Sequence, residues 1–251
     1  MRGTDIAMKK SPHEFGNSCS GNLLNRISCT CNKFRSGREF QENNMTSITV
    51  IGTGNMGAAI AAIAAKGGDV VQVIARDAAK ANELAQQIGG TSSTFGDALT
   101  GDIVILALPY PALDDVVSTY GAQLNGKTVV DLTNPVDFAT FDGLTVPADS
   151  SAAAELQGKL PGAAVLKAFN TNFASTLATG SIGDVPTTVV VAGDDEAAKA
   201  VFARVLTEAG LAVADAGSLK RARELEALGF LQMVLAVREQ IGWTGGFAVR
   251  S

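Results

Sequence analysis

The chain reads as an α/β protein: a doubly wound, mostly parallel sheet of the Rossmann type with a small C-terminal helical part. Three observations carry that expectation. From Met45 onward, strand-like and helix-like segments alternate without internal repeats. The junction of the first strand and first helix holds the spacing G-x-G-x-x-G, Gly52-Thr53-Gly54-Asn55-Met56-Gly57. The stretch 102–108 is continuously apolar after Asp102, as strands buried on both faces are.

Ser47–Ile51 reads as the first strand, 56–66 as an alanine-rich helix and 69–75 as the second strand. Gly52 can take the tight turn that leaves the strand, Gly54 bears no side chain to hold a phosphate away, and Gly57 lets the helix lie close on the sheet. The helix N-terminus then offers free N–H groups to a dinucleotide pyrophosphate. The chain has 27 glycines, so a purely structural turn competes; the order of strand, glycines, helix and strand favours a binding site. After the second strand, Arg76 suits a ribose 2′-phosphate by bidentate pairing, and Lys80, one helical turn on, adds charge beside Ala75. Asp77 dissents: it either caps the next helix or accepts from the ribose 2′-OH of NAD. The balance of charge predicts NADP(H).

Ala78–Ile88 reads as a helix and Thr91–Thr94 as a short strand, followed by a helix over 112–123 and strands over 128–132 and 164–169. A second β-α-β pattern follows: strand 187–192, helix 194–209 with acids in its first turn, and strand 211–214. The last helix, 219–241, begins amphipathic, with Leu225 and Leu228 among charges. It then becomes apolar nearly all round over 229–237, the pattern of a buried helix or, as favoured here, a dimer interface. The expected organisation is an NADP-binding Rossmann domain over 45–186 and a smaller C-terminal part over 187–251 carrying the acceptor site and dimer contacts.

Residues 1–44 stand apart. They hold all three cysteines (Cys19, Cys29, Cys31) and the lone His13, and lack apolar periodicity. Seven basic residues against four acidic give this segment +3, which leaves −8 for the rest of a chain whose total is −5. Its cysteine spacings match no zinc pattern and it has no apolar signal core, so it is expected to be a disordered or non-native extension. The remaining composition, 46% hydrophobic overall, supports one large or two small cores. No apolar run reaches the roughly 20 residues of a membrane helix, and the pI near 5.0 argues against a nucleic-acid surface.

Three loops fall at the carboxyl ends of strands, where open α/β sheets bind ligands. Leu108-Pro109-Tyr110-Pro111 is either a helix start or a fixed loop that sets the Tyr110 ring near a nicotinamide, and the two can coexist. Asn134-Pro135 is a turn signal or a carboxamide contact. Lys167-Ala168-Phe169-Asn170-Thr171-Asn172 puts an aromatic and small polar side chains after a buried strand, a mixture that suits stacking and hydrogen bonding. Trp243, Phe230 and Met233 read as anchor and core residues. With no histidine or cysteine after residue 44, Ser–His and Cys–His nucleophiles and an imidazole base are excluded from the body of the chain. Lys167, Asp131, Asp137 and Lys220 are the substitute bases, each equally readable as an element-end charge. Hydride exchange between a nicotinamide and a flavin-like ring needs no such group.

These segments, with Ala192-Gly193-Asp194-Asp195 and Asp215-Ala216-Gly217-Ser218-Leu219, resemble the family of coenzyme F420-dependent NADP oxidoreductases over nearly all of 46–247. The cytoplasmic reductase domain of the STEAP metalloreductases is similar in outline, including Lys-Ala-Phe-Asn-Thr. The resemblance implies a homodimeric, cytoplasmic enzyme that passes hydride between NADP(H) and a deazaflavin, coenzyme F420, or a flavin. It places Thr53, Gly54, Asn55 and Met56 at the pyrophosphate and Ala75, Arg76 and Lys80 at the 2′-phosphate. Two departures stand out. Ala75 replaces a frequent serine, and Phe169-Asn170-Thr171 replaces a His-Thr-Ile-Pro of the archaeal enzymes, nearer to the STEAP-like pattern. The alternatives are a metalloreductase-like flavin reductase, a non-catalytic NADP-binding sensor, and a β-hydroxyacid or pyrroline-carboxylate type dehydrogenase. The last generally carries a larger helical second domain.

Overall fold

The computed structural model describes residues 45–249, so the extension expected over 1–44 lies outside the described residues. The chain begins with β1 (Ser47–Ile51), α1 (Asn55–Lys66), β2 (Val70–Ala75), α2 (Ala78–Ile88) and β3 (Thr91–Thr94). It continues through β4 (Ile103–Leu106), a single 3₁₀ turn Tyr110–Ala112, α3 (Leu113–Tyr120), β5 (Thr128–Asp131), α4 (Ala152–Lys159) and β6 (Ala164–Lys167). After α5 (Ala174–Thr179) and the two-residue strands β7 (Ser181–Ile182) and β8 (Val185–Pro186) come β9 (Thr188–Gly193), α6 (Glu196–Glu208) and β10 (Ala212–Asp215). A 3₁₀ turn, Leu219–Arg221, leads into α7 (Ala222–Val237).

Local chemistry sets many of these boundaries. Asp77 caps α2 by accepting from the N–H groups of Ala79 and Lys80, and Gly89 ends that helix in the left-handed conformation at φ 69°. Ser151 caps α4 and Asp195 caps α6 in the same way as Asp77. Alternate residues of the central strands serve opposite faces: Val50 and Val73 enter one core, Ile51 and Ile74 the other. The first core joins the sheet to α1, α2, α5 and α6 through Ile60, Leu84, Leu177 and Phe202. The second joins it to α3, α4 and the start of α7 through Val116, Tyr120, Leu156 and Ala222.

Eight strands form one sheet in the order β10-β9-β6-β5-β4-β1-β2-β3. Every pairing is parallel except β6 with β9, where Leu166 faces Gly193 and Lys167 faces Ala192. From β1 the chain winds outward to β2 and β3, then returns to β4 on the other side, which opens a crevice at the carboxyl ends of β1 and β4. Residues 187–249 thus extend the sheet built by 45–186, and the described residues lie within one compact unit. The antiparallel strand supplies the reason, since its ladder with β6 fuses the two segments.

Sequence patterning missed α4, α5 and the β7–β8 hairpin, and it ran the last helix too long. That helix starts as a 3₁₀ turn and stops at Val237, with Glu239 in the left-handed region at φ 57°. Among the described residues no helix is long and apolar enough to cross a membrane.

One crossing fixes how closely α7 lies on the loops below it. A Cβ at Gly229 would stand 2.7 Å from both Asn134 Oδ1 and Asn170 O. Gly229→Ala is therefore expected to cost about 1–3 kcal/mol of unfolding free energy despite the better helix propensity of alanine. Chemical denaturation checks this, and an unchanged or raised stability contradicts the close approach.

Candidate functional site

The glycine loop leaves β1 where Gly52 adopts φ 119°, and a Cβ there would stand 2.2 Å from Ala107 O, beyond β4. At Gly57 a Cβ would stand 2.1 Å from Gly52 O. Both positions are closed to side chains by the protein's own backbone. Gly54 differs, because a Cβ there would meet nothing within 4 Å. The fold itself does not require glycine at position 54, whereas a phosphate approaching the backbone does. Gly54 is also the N-cap of α1, gives no side-chain cap, and no acid stands in the first turn of that helix. The free N–H groups and positive end of α1 are thus left to an anion. Thr53, Asn55 and Met56 flank this point, and Leu108 packs over Gly52.

The corner after β2 gathers exposed positive charge. Asp77 is spent on capping α2, which removes the acid that would serve the ribose of NAD. Arg76 is exposed, stacks at 5.5 Å over the Phe95 ring, and pairs with Asp115. An exposed pair of this kind contributes at most about 1 kcal/mol, so a 2′-phosphate with its roughly two negative charges displaces Asp115 readily. Lys80 is exposed one turn into α2, and Ala75 is buried at the end of β2. These residues fit NADP(H): pyrophosphate on α1, 2′-phosphate on Arg76 and Lys80.

A cavity of about 430 Å³ opens beside the same loop. Asn55 and Met56 form one side, Leu132, Asn134 and Asn170 the floor, and Phe173, Met233 and Trp243 the far wall. No charged side chain lines it. Asn134 and Asn170 clasp each other: Asn134 Nδ2 donates to Asn170 O and Asn170 Nδ2 to Asn134 Oδ1, each at 3.0 Å. The side-chain oxygens of Asn170 and Asn172 and the Thr133 hydroxyl are buried without a partner. Unsatisfied groups cost about 1–3 kcal/mol each, and Asn170 and Asn172, two of the three, line this cavity, which marks it as a candidate binding site. A wider concavity of about 880 Å³ lies at the opposite end of the parallel strands, around Lys127, Thr128 and Ala164, away from the ligand crevice.

Several expected site residues are placed differently. The Phe169 ring offers no stacking face: it is 1% exposed and meets Phe202 edge-on at 5.6 Å. Its backbone is left-handed at φ 64° and its ring packs in the core, although Phe169 lines the cavity together with Asn170 and Asn172. Ala168 and Thr171 are buried beside it. The cavity's other aromatics are Phe173 and Trp243, packed at 5.0 Å, with the Ser175 hydroxyl donating to Trp243 O. Met233, expected in the core, is a cavity wall. Tyr110 donates to Glu155 at 2.7 Å in a groove between α3 and α4, and burial, then Glu155, pushes its hydroxyl above the usual 10.0. Pro109 is exposed, whereas Pro135 is buried with its carbonyl accepting from Thr145 N.

The substitute bases fall away. Asp137 accepts within its own turn from Ala139 and Thr140, and Lys220 is exposed in the turn before α7. Lys167 and Asp131 are 0% exposed, beyond the reach of any substrate. Lys167 Nζ donates to Asp131 Oδ2 at 2.8 Å, to Glu226 Oε1 at 2.7 Å, and to Thr133 O. Glu226 itself accepts from Ala152 N at 3.0 Å and Ala153 N at 3.3 Å, the first amides of α4. Sequence reading missed Glu226, which stands 59 residues from Lys167 and looks like one more surface charge on a helix. Burial pushes its carboxyl above the usual 4.5, against the pull of Lys167.

The fold, the glycine loop and the 2′-phosphate corner define a dinucleotide-dependent oxidoreductase. Residues 47–135 match the family described as NADP oxidoreductase, coenzyme F420-dependent. The F420-dependent NADP reductase of Methanocaldococcus jannaschii is 30% identical over 209 residues, covering 77% of this chain and 93% of that protein. The chain belongs to this family, whose members are NADP(H)-dependent oxidoreductases. A candidate F420-dependent NADP-reductase of Arthrobacter sp. FB24 has a crystal structure that superposes with a TM-score of 0.71 at 27% identity, covering 82% of this chain and all of that one. A Sinorhizobium meliloti protein gives 0.62 at 29% identity, covering 70% and 86%. An imine reductase of Myxococcus stipitatus with NADP+ bound shares the fold at 21% identity and 0.58, with 77% and 63% covered.

Two outcomes follow from this geometry. Arg76→Ala is expected to raise the KM for NADPH about tenfold or more and that for NADH by less than about twofold; equal effects on both would remove Arg76 from the phosphate. Because burial raises the Glu226 carboxyl in the folded chain, its contribution to stability is full below the ordinary value of 4.5 and declines as pH rises through the raised folded value, above which the carboxylate is paired with Lys167. Unfolding free energies measured from pH 5 upward should therefore move against the wild type relative to Glu226→Gln, and parallel curves would contradict a raised carboxyl.

Proposed function

We propose that the chain transfers hydride between NADP(H) and a deazaflavin acceptor, coenzyme F420, with FMN, FAD or riboflavin as the second candidate. The observation that carries this reading is the 430 Å³ cavity that begins at Asn55 and Met56 of the dinucleotide loop and is lined without a charged side chain. The cavity adjoins the glycine loop through Asn55 and Met56, so a dinucleotide held there would have its nicotinamide end within reach of it. The two rings supply the redox chemistry when bound. The chain binds them, aligns them and excludes water: Leu132, Met56, Met233 and Phe173 present apolar surface, and the amides of Asn134, Asn170 and Asn172 supply orienting contacts. The reaction consumes one proton with each hydride delivered to the acceptor. No imidazole or thiol is needed for such a step, which accords with the absence of both after residue 44.

We also propose that it works as a homodimer through α7. Leu231 and Val237 are 49% and 56% exposed on that helix, and Phe138 near its side is 70% exposed. Sedimentation of the chain tests this, a monomer at micromolar concentration being the contrary result.

NADPH oxidation assayed against F420, FMN, FAD and a ferric chelate, and repeated with NADH, tests the acceptor. Turnover with F420 and NADPH is expected to exceed every other pairing. Tight NADPH binding with no acceptor reduced would instead favour a sensor.

A further inference from the structure

We propose that Lys167 and Glu226 are positioning residues for the acceptor cavity, locking its floor to its wall. The inference rests on reading that cavity as the acceptor site. All three N–H groups of the Lys167 ammonium are used, on Asp131, Glu226 and Thr133 O. Asp131 Oδ1 also accepts from Thr133 N at 2.9 Å, so the chain between β5 and Asn134 is held from two sides. On the other side of the ammonium, Glu226 belongs to α7 and grips the start of α4 through Ala152 N and Ala153 N.

The spacing along α7 joins this anchor to the cavity. Glu226, Gly229 and Met233 stand at i, i+3 and i+7, so they share one face of the helix. Glu226 is the anchor, and Gly229 lies against Asn134 and Asn170 with no room for a Cβ. Met233 is the cavity wall two turns further on. Floor and wall therefore meet at a contact too close to tolerate a lifted helix, and the force that seats the helix is a buried ammonium between two carboxylates. An apolar residue would fill the same space, but it would not fix Thr133 O, Asp131 and Glu226 at defined distances.

Glu226→Gln and Lys167→Gln in the full chain test the clamp, the first keeping the hydrogen-bonding shape and removing a charge. Hydrogen exchange of the amides at 132–134 and 229–233 should quicken about tenfold or more over wild type while the β1–β2 amides stay protected. The NADPH Kd should stay within about twofold while acceptor KM rises or kcat falls by about tenfold, since hydride transfer depends on ring alignment. Two results would overturn the proposal. One is acceleration spread evenly over the sheet, which makes the cluster a general stabiliser. The other is a folded variant with wild-type exchange at 132–134 and 229–233. Should the wild type reduce no acceptor at all, the function proposed above fails, whereas the exchange measurement still decides the clamp.

Discussion

A single buried ammonium ties the loop after β5 and the end of β6 to the last helix. Lys167, at the end of β6, reaches Asp131 at the end of β5, the carbonyl of Thr133 in the loop beyond, and Glu226 on the last helix. Removing one partner of a fully buried pair costs about 3–5 kcal/mol, because the charge that remains has no water to turn to. Two carboxylates for one ammonium leave an excess negative charge, offset in part by the first amides of α4 and in part by the raised carboxyl of Glu226. In the clamp proposed above, this point seats the Asn134–Asn170 clasp, the close crossing at Gly229 and the Met233 side of the cavity.

The dinucleotide side depends on a different constraint, the absence of space. Gly52 and Gly57 are forced by backbone contacts with Ala107 and between themselves, while Gly54 faces open space above an uncapped helix. Arg76 adds a weakly paired positive charge at the end of β2, with Asp77 committed to a cap. One half of the crevice thus suits an anion, and the other has no charged side chain in its lining. For the hydride transfer proposed here, a cavity without a charged side chain would leave the chain the work of alignment and exclusion of water.

The glycine loop, α2 and β3 were legible because their signals are local: a turn spacing, an aspartate cap, a glycine stop. The strand ends were legible to within a residue or two for the same reason. What patterning missed was short or weakly patterned. The helix α5 has six residues, three of them Ser or Thr, and α4 is rich in alanine with little apolar contrast between its faces. The cavity was half legible. Its loops were found because strand ends are where they must be, but the Phe169 ring, expected to stack, packs edge-on against Phe202, and Phe173 and Trp243 line the cavity beside it. A left-handed backbone at a phenylalanine cannot be read from neighbours, and it decides which way the ring points. Glu226 was invisible for a related reason: its burial comes from α4 and β6, far away in sequence.

The central claim is that two rings meet in the uncharged cavity and exchange hydride directly. NADPH carrying deuterium at the transferring nicotinamide carbon, reacted with F420, tests it most directly, because the receiving carbon of a deazaflavin does not exchange with water. The account predicts deuterium on that carbon of the reduced deazaflavin and none in the solvent. Label released to water would contradict it.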